Sequence, residues 1–304
     1  MTKLKKLHNK NNVLFFEDYY KKINISHPLL HFVLGSGFSS SLDKIKELEL
    51  FKNWEERKAC LFSEVPQLPS PTVKSHAGFY RFFVHKQSNQ SISFQCGRLH
   101  LYEGHSAQTV AEPVMQILLA GTKRFVLSNI SGGLKKEHTV GTVIALKDHV
   151  NFTGVSPLIG PEKTTPQGKK LGHRFPDMSQ VYDPEMREKI SSELLKLKIR
   201  VSPGVYAGLC GPELETPAQI QWLNTSSKGL FDAVGMSTVL EAIALKQAGA
   251  KLAGFSVIAN PACGIDPNYT ELSFSQMLSN IEEPILKTLQ AYFQYSESCF
   301  LYKL

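Results

Sequence analysis

The chain has 304 residues, 42% hydrophobic and 20% charged, with a formal net charge of +7. That length and balance suit one or two soluble α/β domains with a large buried core, and they exclude bulk disorder. Part of the positive excess is local, because Lys3, Lys5, Lys6 and Lys10 crowd the N-terminus, and no basic stripe interleaved with aromatics elsewhere supports a nucleic-acid partner.

The N-terminal segment reads as a basic, flexible tail over 1–12, followed by a single domain over 13–304. The run VLFF at 13–16 gives way at once to EDYY, which does not make a signal peptide, and no uninterrupted apolar stretch has membrane length. A cytoplasmic protein with no membrane partner is expected. Cys60, Cys96, Cys210, Cys263 and Cys299 lie far apart, without CxxC or Cys/His metal spacing, and read as reduced thiols. No metal site is expected.

In chain order, strands are predicted over 28–37, 78–84, 91–99, 124–133, 142–150, 201–211 and 251–260. Helices are predicted for SAQTVAEPVMQILLAG, DPEMREKISSELLKLK, STVLEAIALKQAG and SFSQMLSNIEEPILKTLQAYF, some with Ser or Asp caps and a following Gly. The alternation implies an α/β fold with helices packed over a parallel or mixed sheet. The segment 157–180 is long, polar and irregular, the kind of loop that often carries function.

Three stretches concentrate chemistry. VLGSGFSS places Gly35, Ser36 and Gly37 after an apolar strand, where flexible backbone and a hydroxyl can wrap an anion, although a plain tight turn fits as well. It lacks the spacing of a Walker loop or a dinucleotide fingerprint. SNISGGL, a strand ending in Asn129 followed by small residues, repeats that ambiguity between turn and site. In CGRLHLYEGH, an extended chain would put Arg98, His100 and Tyr102 on one face and Leu99 and Leu101 on the other. That pattern also describes an ordinary half-exposed sheet edge; together with the two Gly-rich strand ends, guanidinium and imidazole donors make a consistent anion pocket.

From about Val13 to Phe293 the sequence resembles the trimeric purine nucleoside phosphorylases of the nucleoside phosphorylase/hydrolase superfamily. The resemblance is carried by LGSGFSS, SHAGFYRF, CGRLHLYEGH, SNISGGL, VGTVIALKDHVNFTG, RFPDMSQVYD, GVYAGLCGPELETPAQIQWL, DAVGMSTVLEAIALKQAG and GFSVIANPACG, all in family order. It implies a three-layer α/β/α sandwich with a mixed central sheet. It also implies phosphorolysis of 6-oxopurine ribo- and deoxyribonucleosides such as inosine and guanosine, with inorganic phosphate as co-substrate and no cofactor. By the same resemblance Ser36, His76, Arg98, His100, Ser237 and the backbone at Ile130 match the phosphate site. Tyr102, Tyr206 and Met236 match residues around the sugar, and Glu215 and Asn260 match the groups that bond the purine. Asn260, Glu215 and His100 are the expected catalytic residues. Phe175 matches a phenylalanine that each subunit of a family homotrimer inserts into its neighbour's site.

Without the resemblance, a helix cap at Glu215 and a strand-end turn at Asn260 would be the simpler readings. Some residues depart from the family pattern. Phe274 stands where a histidine usually bonds the ribose 5′-hydroxyl, which makes the 5′ pocket more apolar, although a Phe at a helix start also suits a core. Leu214 replaces an aromatic, Ile130 an alanine and His105 a tyrosine, and Phe38 and Ser39 alter the loop after the first strand. These changes leave 5′-methylthioinosine or methylthioadenosine phosphorolysis, or a non-catalytic nucleoside-binding homologue, as alternatives; Asn260 and Ser237 argue against the methylthioadenosine enzyme, which usually carries Asp and Thr there. His100 is expected to titrate near neutrality and make phosphate binding pH-dependent.

Overall fold

The protein is described here by a computed structural model covering residues 10–73, 76–162, 164–165, 168–270 and 272–301, side chains of 10–14 and 301 excepted. Residues 1–9 of the expected tail lie outside the described residues, and helix α1 (Lys10–Lys22) takes in the last three positions of that segment.

The described strands are β1 (Leu30–Leu34), β2 (Trp54–Glu56), β3 (Cys60–Leu61), β4 (Phe79–His85), β5 (Ser91–Cys96), β6 (Arg124–Gly133), β7 (Val143–Asn151), β8 (Val201–Gly208), β9 (Ala233–Gly235) and β10 (Lys251–Pro261). All join one mixed sheet in the order β10-β7-β8-β9-β6-β1-β5-β4-β2, with β3 on β4. Strand β1 lies parallel to both β5 and β6, and its five residues LHFVL are all buried, as a strand covered on two faces requires. The sheet also closes on itself, because β10 pairs with β6 as well as β7, so β6, β10, β7, β8 and β9 form a ring.

The helices are α1, α2 (Phe38–Lys44), α3 (Ala107–Leu119), α4 (Pro184–Lys196), α5 (Pro217–Ser226), α6 (Val239–Gln247), α7 (Phe274–Asn280) and α8 (Glu282–Leu301). One core cluster buries apolar residues of α1, α3 and α6, and another those of α2, α4 and α8; each contains side chains from the sheet. This is the expected layered α/β arrangement. A single carboxylate fastens the short β9 between β8 and β6. The Asp232 carboxylate accepts from Lys135 Nζ at 2.6 Å, His138 Nε2 at 2.9 Å and the Val205 N–H at 2.8 Å. Burial opposes its ionisation, but these bonds outweigh burial and hold the carboxyl below its usual range.

The structure corrects two local expectations and decides a third. The predicted C-terminal helix is two helices that break at Ile281, three residues before Pro284, which lacks an N–H and sits in the first turn of α8. The strand expected over 124–133 is observed, and it decides the open reading of SNISGG against a turn: β6 continues through it to Gly133, paired with β10 on one side and β9 on the other. CGRLHLYEGH is not a strand, since β5 ends at Cys96 and Gly97 turns to φ +97°. A Cβ there would lie 2.8 Å from His76 Cβ. A single 3₁₀ turn over Leu101–Glu103 follows and ends at the left-handed Gly104.

Candidate active site

The loops and ends of β1, β5, β6, β9 and β10 gather on one cavity of about 780 Å³, at the strand carboxyl ends where open α/β sheets leave their crevice. Gly35, immediately after β1, is a close-approach position: a Cβ would stand 2.9 Å from Asn129 Cα and 3.1 Å from the Ser128 carbonyl oxygen. Ser36, His76, Arg98, His100, Ile130 and Ser237 line the cavity, so the residues expected to bind phosphate come together.

Arg98 is 1% exposed and packed among fixed partners. Its Nε donates to Glu241 Oε1 at 3.2 Å, and its Nη1 donates to the Ser128 carbonyl at 2.7 Å and to Ser237 Oγ at 3.4 Å. Among the described residues its Nη2 has no partner. A buried guanidinium with one uncommitted donor in a cavity wall suits an anion. His76 supports the same end: its Nδ1 accepts the Arg98 N–H at 3.3 Å, and its Nε2 lies 3.3 Å from Ser36 Oγ.

His100 is oriented by Glu103, whose Oε1 lies 3.0 Å from His100 Nδ1 and accepts the His100 N–H at 2.8 Å. The other Glu103 oxygen accepts from the N–H and hydroxyl of Thr72. Burial works against the Glu103 carboxylate, but the bonds from Thr72 and His100 hold its pKa below the usual range. The His100 ring stacks on Tyr102 at 4.6 Å and lies 5.0 Å from the His76 ring. Tyr102 is pushed up to about 12, first by burial and then by Glu103, and stays a hydroxyl.

Contrary to expectation, His100 does not titrate near neutrality. Burial, followed by the Arg98 charge, lowers it to about 4, and burial with the His100 and Arg98 charges lowers His76 to about 3. With Nδ1–H given to Glu103, a neutral His100 keeps an unprotonated Nε2, an acceptor for the proton of a monohydrogen phosphate.

Glu215 and Asn260 also line the cavity. Glu215 is not the cap of α5: Thr216 and Gln219 form the capping box, and Glu215 is left buried at the wall, its carboxyl raised by burial. Asn260 is not in a turn but in β10, just past a register shift between Ile258 and Asn260, the kind of bulge that re-aims a side chain. Its Nδ2 donates to the Pro261 carbonyl at 2.9 Å. Met236 lines the same space, as does Leu214, which is 57% exposed.

A third wall comes from Leu272, Phe274 and Met277. Phe274 is no core residue: it opens α7 behind the Ser273 cap and is 49% exposed. The helix packs directly over the turn after β1, where a Cβ on Gly37 would meet Leu278 Cδ2 at 2.9 Å. Ile130 packs against the cluster that also holds Met277 and Leu278, which accommodates its bulk. Phe38 is fully buried in that cluster and starts α2.

Two expected residues stand elsewhere. Tyr206 is fully buried and does not line the cavity; its hydroxyl lies 3.5 Å from the Ser237 N, behind the wall. Phe175 is 88% exposed and lies in a separate open groove with Ile159, Leu158 and Met178. Sequence reading missed Glu103 and Glu241, whose carboxylates bond His100 and Arg98. The spacing from His100 to Glu103 is a legible capping-box signal, whereas the pairing of Arg98 with Glu241 spans 143 positions and leaves no local trace.

The lowered histidines predict that, in the ligand-free protein, the His76 and His100 imidazole resonances do not shift between pH 6 and 8. A histidine NMR titration assigned with His100→Gln checks this; a midpoint near the ordinary value of roughly 6.5 for either ring would contradict the assignment.

The phosphorylase-superfamily profile matches residues 44–293. Purine nucleoside phosphorylase 1 of Bacillus subtilis (strain 168) is 33% identical over 265 residues, which cover 87% of this chain and 91% of that protein. The purine nucleoside phosphorylase of Bos taurus is 34% identical over 81% of this chain and 82% of its own length. Among solved structures, a Schistosoma purine nucleoside phosphorylase in complex with hypoxanthine matches with a TM-score of 0.77 at 25% identity, over 95% of this chain and 97% of that one. The cavity and its polar ends thus sit on a fold and a sequence pattern with known relatives, and the chain belongs to the phosphorylase superfamily, among its purine nucleoside phosphorylases.

Proposed function

We propose that this protein is a pentosyltransferase that cleaves 6-oxopurine ribo- or deoxyribonucleosides, such as inosine and guanosine, with inorganic phosphate in the cytoplasm. The products are the free base and ribose or deoxyribose 1-phosphate. The observation that carries the reading is the cavity itself, which is lined by an uncommitted buried donor of Arg98 and by a carboxylate and an amide, Glu215 and Asn260.

In the reaction the C1′–N9 bond breaks and a C1′–O bond to phosphate forms. The departing sugar passes through an oxocarbenium-like state, and a phosphate dianion held by Arg98, Ser36 and Ser237 both stabilises its charge and captures it. The proton of the monohydrogen phosphate is the one that ends on the base. Asn260 steadies negative charge at N7 and O6 of the leaving purine, and Glu215 accepts from N1–H. The relatives named above support this reading, and among solved structures a Schistosoma mansoni enzyme in complex with inosine matches at a TM-score of 0.74.

A second specificity is favoured by the apolar wall of Leu272, Phe274 and Met277. Apart from backbone groups those side chains offer a ribose 5′-hydroxyl no partner, and they suit a 5′-methylthio group. One assay addresses both readings: release of hypoxanthine from inosine and from 5′-methylthioinosine, with and without phosphate. The account expects phosphate-dependent release from both, and a drop in kcat of about 10²- to 10³-fold in Asn260→Ala, the usual cost of losing one donor aimed at developing charge. Release that ignores phosphate, or an unimpaired Asn260→Ala, would overturn it.

The exposure of Phe175 and the apolar groove around it support a homotrimer in which this residue completes a neighbour's site. Light scattering of the native chain should give the mass of three chains; a monomer with full activity would refute the arrangement.

A further inference from the structure

Thr238 is the sole β-branched residue with positive φ among the described residues, at φ +70° and ψ −46°. With the Val239 N–H donating to the Ser237 carbonyl at 2.7 Å, the three residues form a γ-turn of the rare, strained hand. Strain of this kind persists only where the surroundings over-determine it. Thr238 is 2% exposed and stands at the N-cap of α6, yet its hydroxyl caps nothing there.

Its oxygen is engaged sideways instead. Asn129 Nδ2 donates to Thr238 Oγ1 at 2.7 Å, Asn129 Oδ1 accepts from Ser256 Oγ, and Ser256 Oγ lies 2.5 Å from Ser131 Oγ. All four side chains are buried. Asn129 and Ser131 belong to β6 and Ser256 to β10, and Asn129 and Ser256 are register partners in adjacent parallel strands. A polar rail therefore runs from the middle of the sheet to the strained turn.

Two groups of the anion end depend on that turn. Ser237, immediately before it, meets Arg98 Nη1 at 3.4 Å; Glu241, in the first turn of the helix that starts from it, takes Arg98 Nε at 3.2 Å. We infer that Thr238 and Asn129 are positioning residues for phosphate. The Asn129 amide locks Thr238 in its strained turn, and the turn sets where Ser237 and, through Glu241, Arg98 present their donors. The strain persists because relaxing it would swing the start of α6 and leave the Asn129 amide buried without a partner.

The inference rests on phosphate being bound at this site, so the first arm of the test is wild-type phosphate dependence; its failure would sink the functional reading itself. Given that dependence, Thr238→Val, which keeps the shape and removes the acceptor, should raise the phosphate KM about tenfold, the scale of one lost positioning hydrogen bond. The nucleoside KM should stay within about twofold, and Thr238→Ser, which restores the oxygen, should return the phosphate KM to within about threefold of wild type. Should Thr238→Val fail to fold, Ser256→Ala, which frees the Asn129 amide without touching the turn, should still raise the phosphate KM by about threefold. An unchanged phosphate KM in the folded variants would overturn the inference, as would equal increases for phosphate and nucleoside that track a fall in Tm.

Discussion

One buried ion pair sets the position of Arg98, the charged group of the anion end of the cavity. Arg98 and Glu241 are each 1% exposed, and the guanidinium is fed by partners from three parts of the chain: the Ser128 carbonyl on β6, Ser237 before α6 and Glu241 within α6. Taking both charges out of water is expensive, and the cost is recovered only where geometry is good and the remaining donors are met. Burial pushes the Glu241 carboxyl up against the pull of the Arg98 guanidinium. The pair is balanced in charge but leaves Arg98 Nη2 and Glu241 Oε2 without partners among the described residues. A fully satisfied pair would be a structural fastener; this one retains a donor for something else.

The scaffold explains how such a pair can be held. The ring β6-β10-β7-β8-β9 fixes the two strands that carry Asn129, Ser256 and Asn260, while Asp232 fastens β9, whose last residue, Gly235, leads into Met236 and Ser237. The third wall is built differently, from α7 packed across Gly37, and its chemistry is that of Phe274 and Met277. One side of the cavity thus presents buried polar donors, and another presents apolar side chains.

Much of this was legible in the sequence, where period-two and helical patterns are local. The long strands β1, β4 to β8 and β10 and the helices α3, α4 and α6 follow from such patterns, and the resemblance supplied the site residues that gather on the cavity. What was not legible depends on distance or on exceptions. The strands β2, β3 and β9 are two or three residues long and carry no periodicity. Arg98, His100 and Tyr102 do share a wall, but through a left-handed Gly97 and a 3₁₀ turn rather than through alternation in a strand. The titration of His100 could not be read from its residue type, because its burial and its neighbour Arg98 decide it. Tyr206 illustrates the reverse: a residue matched to the sugar is fully buried behind the wall, with its hydroxyl toward Ser237.

Arg98, through its uncommitted Nη2, is the proposed phosphate anchor. Calorimetric titration of inorganic phosphate into wild type and Arg98→Lys tests it most directly, because lysine keeps a cation beside Glu241 but loses the planar fork. The account predicts one phosphate bound per wild-type chain and at least about tenfold weaker binding in a folded Arg98→Lys protein, charge-assisted hydrogen bonds being worth roughly 1.5 to 3 kcal/mol each. Phosphate binding of equal strength in the two proteins would contradict it.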